Sequence, residues 1–336
     1  MKAITLDRFG IENLTLAEID TPQIGLGEVL VNFKAASINS RDNQIISGSF
    51  SPNQPLPIVP VSDGAGKVVS VGDGVENLSV GDLVCPLFFP EWLAGEALQD
   101  ERAVSSGLEA PGVLREYGAY QQHQVVKVPA YLSAAEAACF PCAGLTAWTS
   151  LVNFSSIGEG DWVLVQGTGG VSLFGLKFAK ALGAHVIVTS GDNAKLRKAL
   201  DLGADHGINY KDTPDWGTTA HQLADGLGVH AILEVGGTGT LPQSLAALRR
   251  GGHINIIGYF AGIDIGLNVF HLIERNAHMH GLSVGNRSGF EAMLAFAETH
   301  QIHPVISQTY DFADAGKAVE AISHGDHFGK LVVEIG

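Results

Sequence analysis

Apolar positions in the first third of the chain fall in short β-rich runs broken by glycine and proline. Glu28-Val29-Leu30-Val31-Asn32-Phe33-Lys34, Gly66-Lys67-Val68-Val69-Ser70-Val71-Gly72 and Asp82-Leu83-Val84-Cys85 are three of them. Turn signals such as Gly72-Asp73-Gly74 separate them. This texture predicts an all-β, barrel-like unit. The polar stretch from Pro90 to Gly118 has no clear period and predicts an excursion loop or flexible lobe.

Near Pro129 the pattern changes to strands alternating with helices, the signature of βαβ units and a parallel sheet. Asp161 to Gln166 reads as a buried strand, followed by glycines and an apolar helix from Val171 to Leu182. His185 to Thr189 is the next strand and Asn193 to Leu202 the next helix. Further strands are predicted over His206–Asn209, His230–Glu234, Gly252–Ile257 and Met279–Val284, which makes six and a doubly wound sheet. The tail predicts helices over Gly289–His300 and Phe312–Ser323 and a closing strand, Lys330 to Ile335.

A chain of 336 residues exceeds what one hydrophobic core usually supports, so two domains are expected. No apolar stretch approaches the roughly 18–20 residues that span a bilayer. The first residues, Met1 to Asp7, read as a strand and not as a signal peptide. Three cysteines cannot all pair, which points to a reducing, cytoplasmic setting. The net charge of −15 speaks against nucleic acid or an anionic membrane as partner and leaves a small-molecule substrate.

The strongest chemical signal is Gly167-Thr168-Gly169-Gly170-Val171-Ser172, which directly follows a strand and opens a helix. Glycines there let backbone N–H groups approach a pyrophosphate at the positive end of the helix. Ser172 stands where the usual fingerprint has its third glycine, and is small enough for close helix–strand packing. NAD binders place an acid about 20 positions further on, at the tip of the second strand. Here that strand ends in Thr189-Ser190-Gly191 with no acid at its tip. Lys195 follows shortly, and Tyr210 closes the third strand. A hydroxyl and a cation suit a 2′-phosphate, so NADP(H) is favoured over NAD(H). Asp192 is the rival ribose ligand, and Lys195 with Arg197 and Lys198 also reads as a solvated helix face.

Taken in order, the segments resemble the medium-chain dehydrogenase/reductase superfamily, in particular its zinc-free quinone-oxidoreductase-like branch. They are Ala35-Ala36-Ser37-Ile38-Asn39 with Arg41-Asp42, Asp63-Gly64-Ala65-Gly66-Lys67-Val68, Gly144-Leu145-Thr146-Ala147-Trp148, the glycine loop, Glu234-Val235-Gly236-Gly237, Ile256-Ile257-Gly258 and Phe328-Gly329-Lys330. The resemblance implies an α/β protein with a GroES-like β-barrel domain over residues 1–127 and 286–336. A Rossmann doubly wound domain over 128–285 interrupts it. It also implies nicotinamide contacts from Thr146, Ile257, Gly258, Ser283 and Val284, a cofactor contact from Val235, Lys330 on the pyrophosphate, and Ser190, Lys195 and Tyr210 on the 2′-phosphate. Relatives pair through the strand that closes the Rossmann sheet, so a homodimer is expected.

Alcohol dehydrogenases of this superfamily bind catalytic zinc with Cys, His and Cys. Those positions match Asn39, Ser62 and Cys142, an amide, a hydroxyl and one thiol, so no zinc is expected. Cys139-Phe140-Pro141-Cys142 has dithiol spacing, but it precedes an apolar helix and reads as two buried thiols. The histidines are scattered, with His278 and His280 alternating on one strand. Phe88, Phe89 and Trp92 read either as a substrate wall or as a core patch.

Without zinc, charge developing on an acceptor oxygen must be met by hydrogen-bond donors. Asn39 and Arg41 are the candidates, with Ser40 behind them, although Arg41 and Asp42 could instead serve to fix the loop. The expected activity is NADPH-dependent reduction of a quinone, enone or other carbonyl compound. A zinc-independent alcohol dehydrogenase or carbonyl reductase, and a cofactor-binding protein with little turnover, stay open.

Overall fold

A computed structural model describes residues 1–264 and 266–336. Fifteen strands are present among them, labelled in chain order. The first seven are β1 (Lys2–Leu6), β2 (Leu14–Glu18), β3 (Glu28–Ile38), β4 (Asp63–Val71), β5 (Leu83–Pro86), β6 (Tyr117–Gln121) and β7 (Val125–Lys127). Then follow β8 (Trp162–Gln166), β9 (His185–Ser190), β10 (His206–Asn209), β11 (Val229–Glu234), β12 (Leu248–Ile256), β13 (His278–Gly281), β14 (Ile306–Asp311) and β15 (Lys330–Glu334).

The chain divides into two units, Met1–Leu145 with Val284–Gly336, and Thr146–Ser283. In the first unit β14, β15, β3, β4, β5 and β7 lie in that order, with β6 also on β3. The long strand β3 pairs with β15, β4 and β6, so it bends through the sheet and carries two register shifts against β4. Its alternate residues Val29, Val31 and Phe33 are fully buried with Leu114, Leu331 and Val333 in one core. Alternation of buried and half-buried positions is what the β-rich runs predict.

The first boundary differs from the sequence reading. Residues 128–145 belong with the barrel unit because the turn of helix Ala134–Ala137 packs on β3 and β4, and the Cys142 amide donates to Asp63. The stretch from Leu87 to Glu116 has neither helix nor strand, but it is anchored. Ser105, Ser106, Leu108, Val113 and Leu114 are all buried.

In the second unit six parallel strands stand in the order β10-β9-β8-β11-β12-β13. That is the 3-2-1-4-5-6 order of a doubly wound sheet, which opens its ligand crevice where the order reverses, between β8 and β11. β8 is buried along its whole length, as a central parallel strand covered on both faces must be. The closing strand is shorter than predicted, ending at Gly281 and not at Val284. Among the described residues no helix is long and apolar enough to cross a membrane.

Candidate active site

The glycine loop sits as its sequence requires. Gly167 follows β8 with φ +74°, a left-handed conformation that favours glycine, and the helix Gly170–Ala181 begins on Gly169. A Cβ added at Gly167 or Gly169 would meet nothing within 4 Å, so the space over the helix N-terminus is open to a ligand. Thr168 is buried beneath the loop and Val171 half-buried in the first turn. These residues fit a dinucleotide pyrophosphate. The third-glycine position works differently from expectation. Ser172 donates from Oγ to the Gln166 carbonyl at 2.6 Å and so ties the helix to the end of β8. The close approach of helix to sheet falls one turn later, at Gly175, whose added Cβ would lie 2.6 Å from Leu233.

At the order reversal, Gln166 and Glu234 meet. Glu234 is fully buried, and both of its oxygens are occupied. Oε1 accepts from the amides of Gly236 (2.9 Å) and Gly237 (3.1 Å) and from Thr240 Oγ1. Oε2 accepts from Gln166 Nε2 (2.7 Å) and Ser244 Oγ. The Glu234 carbonyl receives the amides of Ile257 and Gly258. Gln166 Oε1 takes the Val235 amide at 3.1 Å. A Cβ at Gly258 would come within 2.7 Å of the Val235 carbonyl, so only glycine allows these two loops to touch. Three segments expected at the cofactor, around Gly167, Val235 and Ile257–Gly258, therefore hang on one buried pair that sequence reading passed over. A carboxylate two residues before two glycines was the available signal.

At the tip of β9, Ser190 is buried and its Oγ accepts from the Asp192 amide at 3.2 Å. Asp192 is the N-cap of the helix Asn193–Asp201; its Oδ1 accepts from the amides of Ala194 (2.6 Å) and Lys195 (3.1 Å). Those amides hold its carboxyl below the usual range. Tyr210 is exposed and overhangs Gly191, where an added Cβ would lie 2.7 Å from its Oη and 2.8 Å from Lys211 Cε. Lys211 is a cation of this corner that the sequence reading did not single out. Lys195 is half-buried in the first helical turn. Thr146 is buried, its carbonyl accepting from Ser150 Oγ, and Ser283 is exposed.

In the barrel unit, Asn39 is the N-cap of a short helix, Ser40–Ile46, and Ser40 opens it half-exposed. Asp42 is fully buried and closes a capping box: its Oδ2 accepts the Asn39 amide at 2.7 Å and its Oδ1 the Ser62 amide at 3.2 Å. Asp42 thus joins the chain at 39 to the chain at 62. Burial, and then the charge of Asp63, push its carboxyl up to about 6. Asp63 is likewise raised, by burial; it accepts from Ser62 Oγ at 2.7 Å and from the Cys142 amide at 2.9 Å. Val61, just before Ser62, and Val284 are β-branched residues with φ of +73° and +54°. Such backbone costs on the order of 1–3 kcal/mol and persists only where packing holds it.

Arg41 points elsewhere. Its guanidinium donates to the Ser106 carbonyl (3.1 Å) and Ser105 Oγ (2.5 Å), and lies over the rings of Phe88 (4.8 Å) and Phe50 (5.3 Å). It pins the Leu87–Glu116 stretch to the start of the helix, the loop-fixing alternative. Phe88 and Phe89 are buried against each other, edge to face. Lys330, which the resemblance puts on the pyrophosphate, bonds within the barrel unit. It is 4% exposed, and Nζ donates to the Ile38 carbonyl at 2.7 Å and to Asn39 Oδ1 at 2.5 Å.

Zinc does not fit this donor set. An amide, a hydroxyl and a thiol that burial pushes far above its usual range replace three strong ligands, and an ammonium already stands on the amide oxygen. All three cysteines are free; Cys139 accepts a bond from Ser37 Oγ, and burial raises its thiol to about 11.

Two family models match, an alcohol dehydrogenase GroES-like domain over residues 25–130 and a zinc-binding dehydrogenase domain over 170–299. A zinc-type alcohol dehydrogenase-like protein of Schizosaccharomyces pombe is 41% identical over 333 residues, 97% of this chain and 96% of the relative. This chain belongs to the medium-chain dehydrogenase/reductase superfamily. It is an alcohol dehydrogenase-like oxidoreductase with a GroES-like domain and a Rossmann-type domain. A crystal structure described as NAD-dependent alcohol dehydrogenase superposes with a TM-score of 0.91 at 32% identity, covering 100% of both chains. A cobalt- and zinc-bound thermostable alcohol dehydrogenase from Pyrobaculum aerophilum has a TM-score of 0.86 at 28% identity, covering 100% of this chain and 99% of its own.

Proposed function

We propose that this member of the superfamily is a zinc-free, NADPH-dependent reductase of quinones, enones or other small carbonyl compounds. The observation that carries the cofactor choice is the corner at the tip of β9. The one acid there, Asp192, is spent on capping its own helix, while Ser190, Tyr210 and Lys211 gather around Gly191. A capping carboxylate is a poor ribose ligand, and a hydroxyl pair beside a cation suits a phosphate. Gly167–Val171 would hold the pyrophosphate, with Val235, Ile257 and Gly258 on the nicotinamide side. When bound, the nicotinamide supplies two electrons and a hydrogen to the acceptor carbon. Asn39 is the donor for the acceptor oxygen: its Nδ2 hydrogen-bonds the Asp63 carboxylate and makes a long, 3.4 Å contact with Ser62 Oγ, and a substrate oxygen would take the place of that long contact. The last proton comes from solvent.

The relatives' names, a zinc-type alcohol dehydrogenase-like protein and an NAD-dependent alcohol dehydrogenase, favour a second reading as an alcohol dehydrogenase or carbonyl reductase, here zinc-independent because of Asn39 and Ser62. Oxidation of NADPH and of NADH against a panel of quinones, enones and aldehydes, run beside reduction of NADP and NAD by alcohols, tests both. Preference for NADH overturns the cofactor assignment, and turnover of alcohols alone overturns the substrate class.

The same reading takes the enzyme to be cytoplasmic, which its three free cysteines support. It also takes it to be a homodimer. β13 is the open edge of the Rossmann sheet, and the helix Val269–Arg275 that leads into it exposes Val269, Phe270 and Ile273. An open edge beside an uncovered apolar face invites a second copy. Light scattering at micromolar concentration tests this, and a monomer there ends the proposal.

A further inference from the structure

A buried ammonium is costly unless anions and hydrogen bonds compensate it. Lys330 has both. Its field lowers the carboxyls of Asp63 and Asp42, against the larger effect of their burial. Two of its three N–H groups go to the Ile38 carbonyl and Asn39 Oδ1. From there a chain of bonds runs on: Asn39 Nδ2 donates to Ser62 Oγ, Ser62 Oγ to Asp63 Oδ1, and the Cys142 amide to Asp63 Oδ2. Asn39, Ser62 and the Cys142 amide, the positions that the resemblance matches to zinc ligands, are thus threaded on one network with Asp63, and Lys330 supplies its ammonium.

We propose that Lys330 takes the metal's place as the fixed positive charge of this site and is a positioning residue that acts through Asn39. An ammonium has three donors and no acceptor, so only an oxygen can face it. A primary amide is nearly symmetric in shape and can be turned end for end. Lys330 removes that freedom: Oδ1 must point at Nζ, and Nδ2 must point toward Ser62. The orientation that turns Nδ2 toward Ser62 and Asp63, where an acceptor oxygen would replace Ser62, is therefore set by charge, the ammonium on Oδ1 and the Asp63 carboxylate on Nδ2. The same contact draws electron density toward Oδ1 and makes Nδ2 a stronger donor, as hydrogen-bond chains polarise one another. This inference rests on the reading of Asn39 as the donor to the acceptor oxygen.

The test compares Lys330→Met, Lys330→Arg, Asn39→Ala and the double variant Asn39→Ala/Lys330→Met. The probes are NADPH, titrated by its fluorescence, and the panel compound turned over fastest. Lys330→Met should lower kcat roughly tenfold to hundredfold while changing the NADPH Kd less than about threefold, a range seen when groups that orient reacting residues are lost. Lys330→Arg, which keeps the charge, should recover part of the rate. The double variant should be no slower than Asn39→Ala, because two members of one unit are not additive. A pyrophosphate role predicts the reverse, with NADPH and NADH both bound at least about tenfold more weakly, kcat preserved at saturation and additive effects; that pattern overturns the inference. If Lys330→Met does not fold, a charge-keeping Lys330→Arg with lost cofactor affinity and normal kcat overturns it equally. Unchanged turnover in a folded Asn39→Ala variant sinks the donor reading itself. A slow Asn39→Ala beside a normal Lys330→Met sinks only the inference.

Discussion

Gln166 Nε2 lies 2.7 Å from Glu234 Oε2, and this contact joins the ends of the two strands between which the Rossmann sheet reverses its order. Gln166 immediately precedes the glycine loop and Glu234 immediately precedes Val235, so the pair fixes the spacing of the two loops. Glu234→Gln keeps the volume but turns an NH2 toward donors that need an acceptor. A buried hydrogen-bonding group left unsatisfied costs about 1–3 kcal/mol. NADPH and NADH should both bind roughly tenfold or more weakly, with the two affinities falling together. Titration of cofactor fluorescence reads this, and unchanged affinity in a folded variant would show that the pair supports the sheet alone.

The corner at Gly191 makes a separate prediction. Lys195→Ala and Lys211→Ala should each weaken NADPH by about 1–3 kcal/mol, the range for a hydrogen bond to a charged group, and leave NADH nearly untouched. Lys211 is the sharper probe, because its side chain already crosses Gly191 beside Tyr210. Equal losses for both cofactors would remove these lysines from the phosphate.

The glycine loop and the alternation of strands and helices that makes the doubly wound sheet were legible in sequence because each depends on local residue type and spacing. What was missed depends on partners far along the chain. Lys330 was read on the resemblance alone, and its bonds to Asn39 and Ile38, 291 and 292 positions away, have no local signal. Arg41 was weighed as a donor to substrate, and its partners are at 105 and 106, in a stretch with no period to read. Ser172 was assigned a packing role, although a hydroxyl beside a strand end has a carbonyl to bond, and the packing role fell to Gly175. The domain boundary at 127 came with the resemblance and lies beside the change of texture near Pro129. It missed that residues 128–145 return their amide and apolar groups to the barrel.

Stability should depend on pH through the imidazoles at the open sheet edge. His253, His278 and His280 stack, with His253 Nδ1 3.0 Å from His280 Nε2. Burial first, then His278, His280 and Arg249, lowers His253 from 6.5 to about 4. The unfolded chain therefore binds the proton more readily. Its contribution is present above pH 6.5 and is lost as pH falls toward 4. Asp42, raised from 3.8 to about 6, slopes the other way over an overlapping range, so the difference between variant and wild type is what matters. His253→Gln should flatten the loss of melting temperature between pH 6.5 and 4 relative to wild type. Parallel melting curves across that range would remove His253 from the acid response.

The last prediction concerns metal. Zinc binding needs ligands that give up their protons, and metal affinity falls wherever those protons are held tightly. Cys142 is the one thiol at the three ligand positions, and burial with Asp63 nearby keeps it protonated. Asn39 and Ser62 offer an amide and a hydroxyl already spent within the network. An incoming dication would also meet the buried Lys330 ammonium, which stands 2.5 Å from Asn39 Oδ1 and 2.7 Å from the Ile38 carbonyl. Repulsion between like charges in so buried a place is far larger than in water. Elemental analysis of the purified protein should therefore find far less than one zinc per chain, and dialysis against a chelator should leave NADPH oxidation unchanged. A stoichiometric zinc whose removal abolishes turnover would defeat the zinc-free mechanism, and with it the role given to Lys330 as the cation of the site.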